Sequence, residues 1–170
     1  MTVRPGRGRA KVGIDRRMHD ITHQTGKTSK PISACWASRL RTQMRESGLR
    51  PTRQRMHLAT LLFTRGDRHV TAEEIHAEAA AEKLSVSLAT VYNTLHQFTD
   101  AGLLRVLAIE SNKTYFDTNT SDHHHFFVEG RGQVLDIPGG AISVSNLPQA
   151  PEGMEIAHVD VVVRLRPKKA

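Results

Sequence analysis

The amino-acid sequence predicts an α+β protein in which an N-terminal winged helix-turn-helix module is followed by a small α/β domain. Apolar residues recur at helical spacing in four short segments between residues 36 and 102. After residue 102 the pattern changes to the alternation that is typical of β-strands. A chain of 170 residues has room for two small domains. Several short helices followed by a strand pair are the element order of a winged helix.

The first two helices are predicted from an apolar face and a capping residue. Trp36, Leu40 and Met44 recur at intervals of four, which places them on one face of a helix that Gly48 ends. Thr52 is suited to cap the second helix, because its hydroxyl can accept a hydrogen bond from a backbone N–H of the first turn.

The third and fourth helices form the predicted helix-turn-helix. The third begins at a capping box that runs from Thr71 to Glu74. The fourth begins at Ser87, a favourable N-cap, and stops at Gly102, where glycine suits the residue after a helix. Its inward stripe consists of Val91, Leu95 and Phe98.

The back half of the chain is predicted to be built from strands. Residues 103–109 and 114–118 flank a four-residue loop and predict the β-hairpin that forms the wing. Further strands are expected at residues 123–129, 133–137 and 156–165. Residues 138–153 contain three prolines and three glycines, which predicts a loop or at most a very short helix.

The composition excludes several classes of protein. A chain with 38% hydrophobic and 24% charged residues is typical of a globular protein. No stretch approaches the roughly 20 apolar residues of a membrane helix, and no apolar segment follows the basic N-terminus as in a secretory signal. We therefore expect a cytoplasmic location. The single cysteine, Cys35, cannot form an internal disulfide or a four-cysteine zinc site.

The charge is unevenly distributed along the chain. Residues 1–35 contain eight Lys or Arg against two Asp or Glu, whereas residues 108–170 contain six against eight. This asymmetry indicates a polyanionic partner for the front half and a cationic one for the back half. Residues 1–33 have no apolar period and predict a disordered basic arm, which is either a solubilising tail or an additional non-specific contact to DNA phosphates.

The polar face of the fourth helix is a candidate DNA-reading surface. Asn and Gln can pair with adenine, and Tyr or Thr can contact a thymine methyl group. Three arginines around the start of the second helix are placed to neutralise phosphates or to enter a minor groove. A winged helix used for protein–protein contact is the alternative, which composition and element order favour less. The candidate residues are Arg50, Arg53, Arg55, Ser87, Thr90, Tyr92, Asn93, His96 and Gln97.

Three consecutive histidines mark the candidate chemical centre. In a strand, alternate side chains point to opposite faces, so His123 and His125 share one face at a spacing of about 6–7 Å. His124 points to the other face. The flanking carboxylates favour a ligand site over a solvated polar strand, and imidazole with carboxylate suits iron, zinc or manganese.

Four segments carry a family resemblance, namely GLRPTRQR (48–55), HVTAEEI (69–75), SLATVYNTLHQF (87–98) and DAGL (100–103). They resemble the ferric uptake regulator (Fur) family over roughly residues 36–165. The resemblance implies a homodimeric transcription factor on an imperfect palindrome, with dimerisation through the second domain. It also implies that Tyr92 and Asn93 face the major groove and Arg50 the minor groove. Most members have Arg at the position of Asn93, which predicts a different operator.

The same resemblance implies two ligand sites. One would join a histidine from the first module to ligands further along the chain, and the other would use the opposite face of the histidine strand. The cysteine pairs of the family's structural zinc site are absent. The first site consists of His69, Asp117, His124 and Asp136, and the second of His123, His125 and His158.

Two departures from the family pattern point to one of its branches. Phe126 stands where Fur proteins have a further histidine, and residues 138–153 replace a helix that contributes a glutamate ligand. The His-His-His-Phe-Phe segment is similar to the iron response regulator (Irr) branch, which implies haem sensing and loss of DNA binding when haem binds. The Cys-Pro haem motif of some members is missing, because Trp36 follows Cys35.

The resulting prediction is a regulator of iron- or haem-responsive genes, switched by haem or by Fe, Mn or Zn. A Fur-like repressor that uses Fe or Mn as corepressor, or a peroxide sensor, is the alternative. An enzyme is not expected, because the sequence has no HExxH, nucleophile or phosphate-loop motif. The predicted domains are the arm (1–33), the winged helix (34–118) and the sensing and dimerisation domain (119–170).

Overall fold

A computed structural model describes residues 34–109, 111–138 and 140–168, so the predicted basic arm lies outside the described residues. Within these ranges no helix has the length and apolar character needed to cross a bilayer. The helices are α1 (Ala34–Glu46), α2 (Arg53–Phe63), α3 (Ala72–Ala81) and α4 (Leu88–Asp100). The strands are β1 (His69–Val70), β2 (Arg105–Val106), β3 (Phe116–Asp117), β4 (His124–Val128), β5 (Gln133–Ile137) and β6 (Val162–Leu165).

The predicted helix starts are confirmed by their caps. The hydroxyl of Thr52 accepts from the backbone N–H of Arg55 at the start of α2. Thr71 and Glu74 form the complete capping box of α3. The hydroxyl of Ser87 accepts from the N–H of Thr90 in α4. Each cap satisfies a backbone donor that has no partner inside its helix, which fixes where the helix begins.

The four helices share one hydrophobic core. The predicted stripe of α4 is fully buried, and so are Leu40 and Met44 of α1. Because α4 packs its apolar stripe inward, its opposite face is presented to the surface. The helical module therefore has the construction that the sequence predicts. The stripe consists of Val91, Leu95 and Phe98.

The first sheet has the order β1–β3–β2 with antiparallel pairing. Strand β1 pairs His69 with Asp117 and was not predicted, because two residues are too few to show alternation. The wing strands are much shorter than expected from residues 103–109 and 114–118. Leu103 and Leu104 follow α4 directly and pack into the helical core instead of pairing.

The second sheet has the order β5–β4–β6, with β4 antiparallel to β5 and parallel to β6. Strand β6 is shorter than the predicted 156–165, because its parallel register pairs His125 with Val162 and leaves residues 156–160 beyond the start of β4. The described residues between 138 and 161 contain neither helix nor strand. A small apolar cluster joins this sheet to the wing through Leu107, Ile109, Tyr115, Phe127 and Val134.

Candidate metal centre and nucleic-acid interface

Five polar side chains converge where the two modules meet. Each offers one nitrogen or carboxylate oxygen, and these atoms all lie within 4.8 Å of one another. Three imidazoles and two carboxylates form a donor set that suits Fe, Mn or Zn. The arrangement is a candidate metal centre. Its members are His69, Asp117, His123, His125 and Asp136.

Both sheets contribute to this cluster through their pairing registers. His69 of β1 lies opposite Asp117 of β3, and His125 of β4 lies opposite Asp136 of β5. His123 precedes His125 by two residues, the spacing at which side chains share a face of an extended chain. The first module thus supplies two candidate ligands and the second supplies three.

The distances between these groups are those of atoms that could share one cation. His69 Nε2 lies 2.8 Å from Asp136 Oδ1, and His123 Nε2 lies 3.1 Å from Asp117 Oδ2. His125 Nε2 lies 3.3 Å from the same Asp117 oxygen. Asp117 therefore occupies the centre of the cluster.

The pKa shifts of two members of the cluster suit the binding of a cation. Burial lowers the pKa of His69, and this effect outweighs the nearby carboxylates, so the ring is neutral at pH 7. Asp117 is only 1% exposed, and burial alone would raise its pKa. The hydrogen bond with His125 and the backbone N–H of Asn119 nevertheless hold the pKa of Asp117 below its usual value. Asp117 is therefore ionised.

Two further contacts test whether these residues fit a metal ion. His123 Nδ1 lies 2.9 Å from the carbonyl oxygen of Ser121, which can only accept, and a proton on Nδ1 would leave the lone pair of Nε2 for a metal ion. His69 Nε2 is buried and makes no hydrogen bond within the described structure, although Asp136 is near. Such an unsatisfied nitrogen is costly by itself, and a shared cation would satisfy it. The residues fit a divalent metal.

The grouping of ligands expected from the family resemblance is corrected by this geometry. His123 and His125 lie with His69, Asp117 and Asp136, whereas His124 does not. The physical reason is the alternation of β4, which turns His124 to the other face of the strand.

His158 also lies apart from the place expected for it beside His123 and His125. Its Nε2 lies 2.9 Å from Asp160 Oδ1, and its Nδ1 lies 3.3 Å from Asp122 Oδ1. Both nitrogens thus face other carboxylates. Within the described residues, one five-residue cluster therefore combines members of both expected sites.

Arg105 is a residue at the cluster that sequence reasoning missed. Its side chain is 15% exposed, and its Nη2 lies 3.5 Å from Asp117 Oδ2. The adjacent Val106 is 37% exposed, so β2 turns its charged residue inward and its apolar residue outward. No sequence pattern signals this inversion in a strand of two residues.

The predicted DNA-reading residues lie on or beside the outer face of α4. Ser87 and Asn93 are exposed, and Thr90 is half-buried with its hydroxyl 2.9 Å from that of Ser87. Tyr92 is half-buried, and its hydroxyl donates to Glu73 Oε1 at 2.8 Å.

The three candidate arginines differ in how they are held. Arg50 and Arg53 are exposed. Arg55 is half-buried and donates from Nε and Nη2 to the side-chain oxygen of Gln97, at 3.0 and 2.6 Å. It also donates to the carbonyl of Arg50. Arg55 thus connects the start of α2 to the polar face of α4.

Comparison with known proteins gives consistent results. The family model described as the ferric uptake regulator family matches residues 46–164. The peroxide-responsive repressor PerR of Staphylococcus aureus (strain Mu50 / ATCC 700699) is 29% identical over 116 residues, which cover 68% of this chain and 78% of that protein.

Two solved structures share the fold. The ferric uptake regulator from Pseudomonas aeruginosa with manganese has a TM-score of 0.57 and 24% identity, over 75% of this chain and 97% of that one. The Vibrio cholerae ferric uptake regulator has a TM-score of 0.60 and 20% identity, over 75% and 99%. Both show the same fold of a winged helix followed by a second domain.

Proposed function

Because this chain belongs to the ferric uptake regulator family, whose members are metal-responsive transcription regulators, we propose that it is a DNA-binding repressor whose DNA affinity is set by one divalent metal ion. The observation that supports this function best is the convergence of five ligand atoms, drawn from both modules, within 4.8 Å of one another. Its proposed targets are iron- or metal-responsive genes, and its proposed location is the cytoplasm. No enzymatic activity is proposed.

The residues proposed to hold the ion are His69, Asp117, His123, His125 and Asp136. A bound divalent cation would supply the positive charge that lets two carboxylates and three neutral imidazoles share a small buried volume. Two contacts of the chain suit metal binding, since the carbonyl of Ser121 lies 2.9 Å from His123 Nδ1 and burial lowers the pKa of His69. Among relatives, the Pseudomonas aeruginosa protein of the same fold was solved with manganese.

The geometry favours a bare ion over haem. His123 is 7% exposed and His125 is 1% exposed, and their nitrogens point to one centre together with carboxylates. An axial haem ligand instead needs an open slot for a flat macrocycle beside its ring. Of the three consecutive histidines, His124 is half-buried and lies outside the cluster. It is therefore the one of the three that would be free to ligate haem.

A peroxide-sensing variant of this function is supported by the relatives. The Staphylococcus aureus protein, 29% identical, is named a peroxide-responsive repressor. In that variant, peroxide would transfer one oxygen atom to a site imidazole and leave as water. Mass spectrometry of peroxide-treated, Mn- or Fe-loaded protein should then find one added oxygen on His69, His123 or His125. An unmodified histidine strand would remove this variant and leave metal-dependent repression intact.

The proposed DNA surface is the outer face of α4 together with the arginines around α2. It comprises Arg50, Arg53, Arg55, Ser87, Thr90, Tyr92 and Asn93. A homodimer would place two such helices against the half-sites of an imperfect palindrome. Bound metal would hold His69 and Asp117 against β4 and β5, which restricts the orientation of the DNA-binding module. The metal can change DNA binding in this way only if it binds more tightly to one orientation of the DNA-binding module than to another.

The decisive experiment is DNA binding by the full chain, measured by fluorescence anisotropy on palindromic duplexes selected from a random pool. Mn²⁺ should raise the affinity for the selected duplex about 100-fold, equivalent to about 2.7 kcal/mol of coupling. Haem should leave the affinity unchanged and should produce no shifted Soret band. Loss of DNA binding with haem, with no response to Mn²⁺, would instead establish the haem-sensing function. Absence of any preference for a palindrome would overturn both.

A further inference from the structure

Arg105 contacts the candidate metal centre without being a possible metal ligand. Its Nη2 lies 3.5 Å from Asp117 Oδ2 and 3.4 Å from His123 Nε2, which are two of the five converging ligand atoms. The guanidinium is always charged and can only donate hydrogen bonds. A permanent cation thus faces the lone pairs that a metal ion would use.

We infer that Arg105 is an internal counter-cation of this site, which stabilises the metal-free protein and competes with a divalent ion for Asp117 and His123. The inference rests on the proposed metal-dependent function and adds a residue that sets the metal concentration at which the protein responds. Since Arg105 belongs to β2, the competitor is part of the wing of the DNA-binding module.

The metal-free protein needs such a charge. Asp117 is 1% exposed, and a carboxylate in a buried place is costly unless a cation or several donors compensate its charge. His69, His123 and His125 supply no fixed positive charge when neutral. Arg105, with its side chain 15% exposed, supplies one at a distance of 3.5 Å.

The same charge must oppose metal binding. A guanidinium beside Asp117 repels a divalent cation placed on that carboxylate, and the low local polarity strengthens the repulsion. It also donates toward the nitrogen of His123 that the metal would use. Metal binding therefore requires the guanidinium to release these two atoms.

The guanidinium of Arg105 has a second set of hydrogen-bond acceptors nearby. Arg105 Nη1 lies 3.7 Å from Asp160 Oδ1, on the segment that leads into β6. Nη1 also lies 3.4 Å from the carbonyl of Ser121. Its Nε, though buried, has no hydrogen-bond partner within the described structure. A guanidinium held by several long contacts can shift toward Asp160 at little cost.

The test compares Arg105→Gln with the parent in two measurements that should change in opposite directions. The Mn²⁺ dissociation constant, from calorimetry on the full chain, should fall about 10- to 100-fold because the repelling charge is gone. The melting temperature of the metal-free variant should fall because Asp117 has lost its counter-charge. Arg105→Lys keeps the charge and should bind Mn²⁺ within about threefold of the parent.

The matched control is Arg166→Gln, which removes the same charge from the exposed Arg166–Glu129 pair and should leave the Mn²⁺ affinity within about twofold. Weaker or unchanged Mn²⁺ binding by Arg105→Gln would overturn the inference, even if its melting temperature falls, because Arg105 would then be only structural. Failure of the parent to bind Mn²⁺ would overturn the proposed function itself.

A second variant keeps the inference testable if Arg105→Gln does not fold. Asp160→Asn removes the alternative partner of the guanidinium and should hold it against Asp117. The Mn²⁺ affinity should then fall about threefold to tenfold relative to the parent. Unchanged or tighter binding by Asp160→Asn would contradict the inference.

Discussion

The two modules differ in how their interiors are built. In the helical module the largest core side chains, such as Phe98 and Leu95, are fully buried among residues of the same module. The cluster of the second sheet is smaller, and its members Phe127 and Val134 keep 7% and 8% exposure. Three of its five buried residues, Leu107, Ile109 and Tyr115, belong to the wing. The second sheet thus depends on the first module for much of its core, and the five residues of the candidate metal centre lie where the two modules meet.

The largest expected effect tests this difference in packing directly. Phe98→Ala should lower the free energy of unfolding by about 3–5 kcal/mol, because it leaves a cavity in a closed core. Phe127→Ala should cost less than about 3 kcal/mol, since a site near the surface can collapse. Urea denaturation followed by circular dichroism measures both. An equal or larger loss for Phe127→Ala would show that the second sheet has an independent core.

The next effect separates the two faces of the histidine strand. His125→Ala should weaken Mn²⁺ binding by about 100-fold or more, because it removes one of the five proposed ligands. His124→Ala, one residue away on the other face, is the matched control and should change the affinity by less than about threefold. Calorimetry of the two variants measures both Mn²⁺ affinities. A larger loss for His124→Ala than for His125→Ala would support the grouping expected from the family resemblance.

A smaller effect is expected at the DNA-reading surface of the helical module. Tyr92→Ala should reduce the preference for the selected palindrome over random DNA by about tenfold, because a base-edge contact is lost. Arg50→Ala should weaken binding to all sequences alike and reduce its salt dependence. Anisotropy titrations at two salt concentrations distinguish the two variants. A uniform loss for Tyr92→Ala would contradict its assignment to base reading.

The smallest expected effect is a loss of stability at acidic pH that arises at His69, between the two modules. Burial lowers the pKa of His69 in the folded state, so below pH 6.5 the unfolded chain binds a proton more readily and the metal-free protein loses stability. The lowered pKa of Asp117 acts in the same direction below the usual aspartate pKa of 3.8. Urea denaturation at pH 7.5 and 5.5 should therefore show a smaller difference for His69→Gln than for the parent. An identical pH dependence would exclude His69 as a contributor.

The helical module could be predicted from the sequence because its signals are local. Thr52, Thr71 and Ser87 each cap a helix within three residues of their position, and the stripe of α4 recurs at one turn. Strand β5 was also predicted with its observed bounds, Gln133–Ile137. Such features depend on spacing along the chain.

The family resemblance named all five residues of the cluster, but their grouping into one site could not be predicted because it depends on pairing across the chain. The register that places His69 opposite Asp117 joins residues 48 positions apart through strands of two residues. The shared face of His123 and His125 follows from alternation, whereas their union with His69 follows only from how the two sheets meet. Arg105 was missed for the same reason, as its inward direction is set by β3 rather than by its neighbours in sequence.

The shortness of β1 has a mechanical consequence. His69 and the capping residue Thr71 are separated only by Val70, which is fully buried and paired with Phe116. No loop lies between the imidazole and the start of α3 to absorb a displacement. A displacement of the backbone at His69 would therefore reach the N-terminus of α3 directly, and α3 packs against α4.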